Sequence, residues 1–165
     1  MRSSWFASVT MTVLAPCASA NCNALVEALE KAQSQERLAQ YEVAGRSVAP
    51  QGQPRLVRIG KSEYMGYSVG DRISHYERHD STGNPILRAL KRSPQARCAS
   101  TDDTYRGTAT LKVQFDNPAA PPSMNPNTVW IDKRSGLPVY HEVNGVDGGF
   151  AWAYGDAVKE PPAKK

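Results

Sequence analysis

The apolar residues change period partway along the chain, and that change limits what it can fold into. From Asn23 to about Gln40, Leu25, Ala28, Leu29 and Ala32 recur at three-and-four spacing, and Ala39 extends the stripe past a polar gap at Gln35 and Glu36. That spacing predicts an amphipathic helix. Asn23 suits its N-cap, Glu27 and Glu30 lie toward the positive end of its dipole, and the small Ala positions let it lie close against a sheet. From Arg55 onward the period is two. Arg55–Ser62, Glu63–Val69 and Arg72–His79 read as strands, with Gly60, Gly66 and Gly70 as bend or bulge sites. Asn84-Pro85 opens a short helix near 85–92, with Asn as cap, Pro in the first turn, and Ile86, Leu87 and Leu90 on one side. Arg106–Phe115 is the clearest strand: Ala109, Leu111, Val113 and Phe115 alternate with Thr108, Thr110, Lys112 and Gln114. The four prolines between Asn117 and Asn127 forbid regular structure there. Thr128–Asp132 and Leu137–Val143 form a hairpin around Lys133-Arg134-Ser135-Gly136, and Phe150–Tyr154 is a last strand.

Helix, strands, short helix, strands is the order of an α+β domain. The expected fold is an N-terminal helix packed on one curved antiparallel sheet of six or seven strands, a half-barrel. Such a sheet twists and curls around a helix, leaving a groove suited to an apolar ligand.

The first twenty residues read as an address rather than as fold. Arg2 precedes a modest apolar run from Trp5 to Ala15, and Ala18-Ser19-Ala20 is a signal-peptidase site. The organisation expected is a signal peptide over 1–20, one domain over 21–158, and a disordered tail over 159–165 carrying Pro161, Pro162, Lys164 and Lys165. Cleavage after Ala20 removes Cys17 and leaves Cys22 and Cys98, an even pair bound for an oxidising compartment. A Cys22–Cys98 disulfide follows. The long loop it closes is worth roughly 4 kcal/mol in the chain-entropy model. The localisation expected is the periplasm.

Composition excludes several functions. No run of about 18 apolar residues exists to span a membrane. The net charge of +4 is too mild for a nucleic-acid binder. It is uneven: residues 46–106 hold eleven Lys and Arg against six Asp and Glu, and residues 107–158 hold three against five. A basic first half can meet anionic head groups or an acidic partner, or simply face water. No G-x-S-x-G, P-loop, H-E-x-x-H or dinucleotide fingerprint occurs, so no enzyme, catalytic residue or cofactor is expected. His75, Glu77 and His79 alternate along a strand at about 7 Å spacing, where a metal could meet two of them; a solvated polar face is the reading adopted, with no metal site. Asp102 and Asp103 read as a solvated, turn-like stretch between Thr101 and Thr104.

The hairpin Val129-Trp130-Ile131-Asp132-Lys133-Arg134-Ser135-Gly136-Leu137-Pro138-Val139-Tyr140 resembles a W-I-D-x-x-[ST]-G-L-P hairpin of bacterial periplasmic proteins related to the lipoprotein carriers LolA and LolB. The match is close over residues 128–143 and loose elsewhere. The resemblance implies a half-barrel with a helix-plugged apolar cavity for acyl chains or other lipidic ligands, in a small relative of that superfamily. The candidate ligand-binding residues are Tyr64, Tyr67, Tyr76, Leu111, Val113, Phe115, Trp130 and Trp152, which combine strand aromatics with the apolar face of the clearest strand. The expected function is non-enzymatic binding of a lipidic or hydrophobic ligand by a monomer. The alternative is a periplasmic protein-interaction module, an inhibitor or envelope assembly factor, using the basic strand face.

Overall fold

The computed structural model describes residues 20–69, 72–93 and 96–161. Nearly all of the expected signal segment (1–19) and the end of the tail (162–165) lie outside them. The architecture is α+β. Strand β1 (Ala20–Asn21) precedes helix α1 (Asn23–Ser34), and strands β2 (Arg37–Val43), β3 (Leu56–Ile59), β4 (Ser62–Val69) and β5 (Arg72–Asp80) follow. Helix α2 (Pro85–Arg92) leads into β6 (Arg97–Tyr105), β7 (Thr108–Phe115), β8 (Asn127–Asp132), β9 (Pro138–Val143) and β10 (Gly149–Tyr154). Among the described residues the strands form one ten-stranded sheet in the order β1-β6-β7-β8-β9-β10-β2-β3-β4-β5. Every pairing is antiparallel.

The sheet therefore consists of two meanders, β2–β5 and β6–β10. They are joined by the pairing of β10 with β2, which runs from Gly149↔Val43 to Tyr154↔Leu38. That junction corrects the expected helix over 23–40. The helix stops at Ser34, and Gln35 is already extended, with φ −67° and ψ 135°. Ala39 and Gln40 are competent helix formers, but residues 38–43 pair with β10 and residues 37–40 with β3, so Leu38, Ala39 and Gln40 have a strand on both sides. Tertiary pairing overrides local preference here. Two smaller corrections follow. Cys22 rather than Asn23 is the N-cap of α1, and with its side chain committed elsewhere it makes no side-chain cap bond. Asp102 and Asp103 are strand residues of β6, paired with Leu111 and Thr110.

Other local readings match the structure. Asn84 Oδ1 accepts from the backbone N–H of Ile86 and Leu87 at 2.9 and 3.1 Å, with Pro85 as the first helical residue of α2. Gly136 sits at φ +68°, as the β8–β9 turn requires, and Asp132 Oδ1 accepts from the N–H of Arg134 and Ser135. Cys22 and Cys98 are joined, with Cα atoms 5.1 Å apart across 76 residues of sequence. This bond clamps the start of α1 to β6.

Both helices lie on one side of the sheet. Leu25, Ala28, Leu29 and Ala32 of α1 and Leu87 and Leu90 of α2 pack with strand residues including Val113, Phe115, Val129, Ile131 and Trp152. The reverse side carries two other clusters. One joins Val43, Tyr105, Trp130, Tyr140 and Ala151; the other joins Ala39, Val57 and Val158.

Candidate functional site

The candidate site is a cleft of about 260 Å³ between the helices and the sheet. It opens where the C-terminal end of α1 meets the start of α2. Period two in β2, β3 and β10 aims Leu38, Leu56 and Trp152 toward the helix side, and Ile86 of α2 and Phe150 complete an apolar wall. The same period aims Arg58, Glu63 and His141 into the lining.

Arg58 is the unusual member. It is only 6% exposed, yet its hydrogen-bond acceptors are backbone carbonyls: Nη2 donates to Ala32 O at 2.6 Å and to Gln35 O at 3.2 Å. It thereby ties β3 to the last turn of α1. Burial pulls its pKa below the usual guanidinium range, against the pull of Glu63 and then Tyr154. Glu63 is its cross-strand partner, but among the described residues no carboxylate stands within 4 Å of the guanidinium. Its Nε is buried with no hydrogen-bond partner, and so is Nε1 of Trp152.

His141 supplies an acceptor. Both N–H groups of Asn127 Nδ2 are committed, to Met124 O at 2.8 Å and Asn125 Oδ1 at 3.0 Å. Asn127 Oδ1 must therefore accept from His141 Nε2, 2.9 Å away. The proton sits on Nε2, and Nδ1 keeps its lone pair. Burial lowers the His141 pKa to about 4, so the ring is neutral at pH 7.

The eight residues expected to bind ligand do not gather at one place. Trp152 lines the cleft. Val113 and Phe115 are each 1% exposed and packed beneath α1, with Leu111 partly buried beside them. Tyr67 lies on the helix side but far out on β4, stacked on His75 at 5.3 Å and open to solvent. Tyr64, Tyr76 and Trp130 belong to the reverse side. The Tyr64 hydroxyl donates to Glu160 Oε1 at 2.7 Å and the Tyr76 hydroxyl to Pro54 O at 2.8 Å. Trp130 is a closed core residue: its Nε1 donates to Asp103 Oδ2 at 2.8 Å, and Arg46 and Lys112 stand over its ring. That indole bond, then the Thr104 N–H, then Arg46, hold the Asp103 carboxyl below the usual range. Alternation explains the split. Neighbours on a strand face opposite ways, so a list that takes Tyr64 and Tyr67, or Trp130 and Val113, mixes two faces.

Arg58, Glu63, His141, Leu38, Leu56, Ile86 and Phe150 are among the lining residues that sequence reasoning missed. Leu56 and Arg58 do alternate with Val57 and Ile59 in the sequence, but nothing local tells which pair faces a helix.

Two other features are weaker sites. A larger depression of about 900 Å³ at the far end of the sheet has a mixed lining that includes Glu42, Arg55, Arg72 and Asp147 beside Val43 and Ile73. Arg55 there pairs with Glu42 at 3.2 Å and also bonds Ser68. On β5, Glu77 lies between His75 and His79, with Nε2 to carboxylate distances of 3.6 and 3.8 Å. Among the described residues no three His, Cys, Asp or Glu side chains are grouped to hold a metal ion. No helix among them is long and apolar enough to cross a membrane. Comparison with family models, with curated proteins and with solved structures returns no match to this chain.

Proposed function

We propose that this protein is an exported, non-enzymatic binder of a lipidic or hydrophobic ligand in the bacterial envelope. The observation that carries the reading is the cleft between α1, α2 and the sheet, with its apolar wall of Leu38, Leu56, Ile86, Phe150 and Trp152. In this reading the sheet curves as a half-barrel around α1, in the manner of the LolA/LolB superfamily that the Trp130–Pro138 hairpin resembles. Export through a cleaved signal peptide into the periplasm is part of the same proposal, and the Cys22–Cys98 bond supports it. A cut after Ala20 would make Asn21 the new N-terminus, next to Cys22 of that clamp.

Size narrows the ligand. At roughly 30 Å³ per non-hydrogen atom, the cleft takes about nine atoms. That is one compact molecule or the end of one acyl chain, not several full chains. Each methylene buried contributes about 0.8 kcal/mol. Native mass spectrometry of protein purified from periplasm tests the proposal. A co-purifying lipid mass, lost on organic extraction, is the expected result; an empty monomer that crosslinks to an envelope protein sinks it.

One observation favours the alternative, an interaction module. Among the described residues strand β5 ends the sheet, with no strand paired to one side of its backbone, and Met65 and Tyr67 beside it are each 40% exposed. Such an edge can accept a partner's strand.

A further inference from the structure

We infer that the cleft holds an anionic oxygen, most simply a carboxylate, between Arg58 and Trp152. The inference rests on the proposed binding function and adds the chemistry of the ligand's polar end. Three observations concern two residues that line the same cleft. Arg58 and Trp152 are 6% and 8% exposed, and both line the cleft. Each leaves a buried N–H without an acceptor, at Nε and at Nε1. The guanidinium is a buried cation with no carboxylate within 4 Å among the described residues.

Unpaired buried donors and a buried charge without a close ion-pair partner are each costly. A ligand oxyanion relieves both together, because guanidinium and indole N–H groups donate charge-assisted bonds to one acceptor group. The apolar wall then takes the rest of the molecule. Glu63, the carboxylate in the lining, limits the site to a single negative group. A dianionic phosphate meets repulsion from it and has no second cation there. The ligand class is thus a compact amphiphilic monocarboxylate: an apolar body of a few carbons ending in one carboxylate.

The test uses the full-length, disulfide-bonded, ¹⁵N-labelled protein at pH 7, titrated with sodium octanoate and separately with 1-octanol. The two share a chain and differ in the head group. Trp152→Phe assigns the Trp152 indole signal among the three tryptophans and removes the donor while keeping an aromatic ring. The expected result is octanoate binding about tenfold tighter than octanol, with the Trp152 indole N–H moving only for octanoate. In Trp152→Phe, octanoate should weaken about three- to tenfold while octanol changes less than about twofold. Arg58→Lys, checked for native melting, should also reduce the octanoate preference. Equal affinity for the two probes, unmoved by either variant, overturns the anion site and leaves the apolar cleft standing. No shift of any cleft residue with either probe overturns both the anion site and the binding reading.

Discussion

The two meanders of the sheet are built by the same alternation yet end in different states. In β8, of the C-terminal meander, five of six residues are buried. In β5, of the N-terminal meander, Tyr76 is the one buried residue of nine. Helices α1 and α2 cover the first from one side, and the aromatic cluster of Tyr105, Trp130 and Tyr140 fills its other side. The outer part of the second projects beyond the helices, and Met65 and Tyr67 face water. Period two specifies that a strand has two faces. Whether either face becomes core depends on what lies over it.

The largest expected effect tests that contrast from the covered side. Phe115→Ala leaves a cavity under α1 and should cost about 3–5 kcal/mol, read as a lower urea midpoint with an unchanged m-value. A cost under about 1 kcal/mol would mean that the C-terminal meander is no better packed than its counterpart. Next, the Cys22→Ser, Cys98→Ser double variant should lose about 4 kcal/mol, because the unfolded chain regains a 76-residue loop. Melting temperatures with and without reductant check this: reductant should lower that of the natural chain and leave that of the variant where it is.

The third effect depends on pH. The unfolded His141 imidazole takes a proton below about pH 6.5, the folded one only near pH 4. Between those values the unfolded state binds more protons, so stability falls as pH drops through the window. The loss is roughly 3 kcal/mol if the whole shift is expressed. His141→Gln should flatten this part of the stability-against-pH curve; an equally steep curve in the variant would assign the slope to other groups. The smallest effect comes from the other meander. Met65→Ala and Tyr67→Ala should each stay within about 0.5 kcal/mol in the same denaturant assay. Larger losses would show that the outer strands of β2–β5 are covered in solution, which removes the open edge on which the interaction-module alternative rests.

How much could be read beforehand differs between elements for physical reasons. Asn84-Pro85 before α2 and Ser135-Gly136 in the β8–β9 turn act through bonds within a few residues, so the sequence displays them directly. Strand β6 was hidden because Ser100-Thr101-Asp102-Asp103 shows no apolar alternation. It is nearly an edge strand, meeting β1 at only two residues, and most of its side chains face solvent. Cys98 and Tyr105 are its buried residues, and the half-buried Asp103 is used by Trp130 and Arg46. The cleft was legible only in part. Trp152 was among the expected residues, but Arg58 and His141 gain their role from α1 and Asn127, which lie elsewhere in the sequence.

By itself the sequence determined the local elements: an apolar helix stripe through Leu25, Ala28, Leu29 and Ala32 but not where that helix stops, period-two strands after Arg55, a capped second helix, one tight hairpin, and the cysteine pair. Each follows from backbone preferences, side-chain spacing or counting. Only the tertiary structure decided that Arg37–Val43 leaves the helix to become the strand joining the two meanders. It also decided which face of each strand the helices cover, and hence that Arg58 and Trp152 meet in one cleft. Those outcomes depend on contacts between residues more than a hundred positions apart, such as Leu38 with Tyr154, where no local pattern reaches.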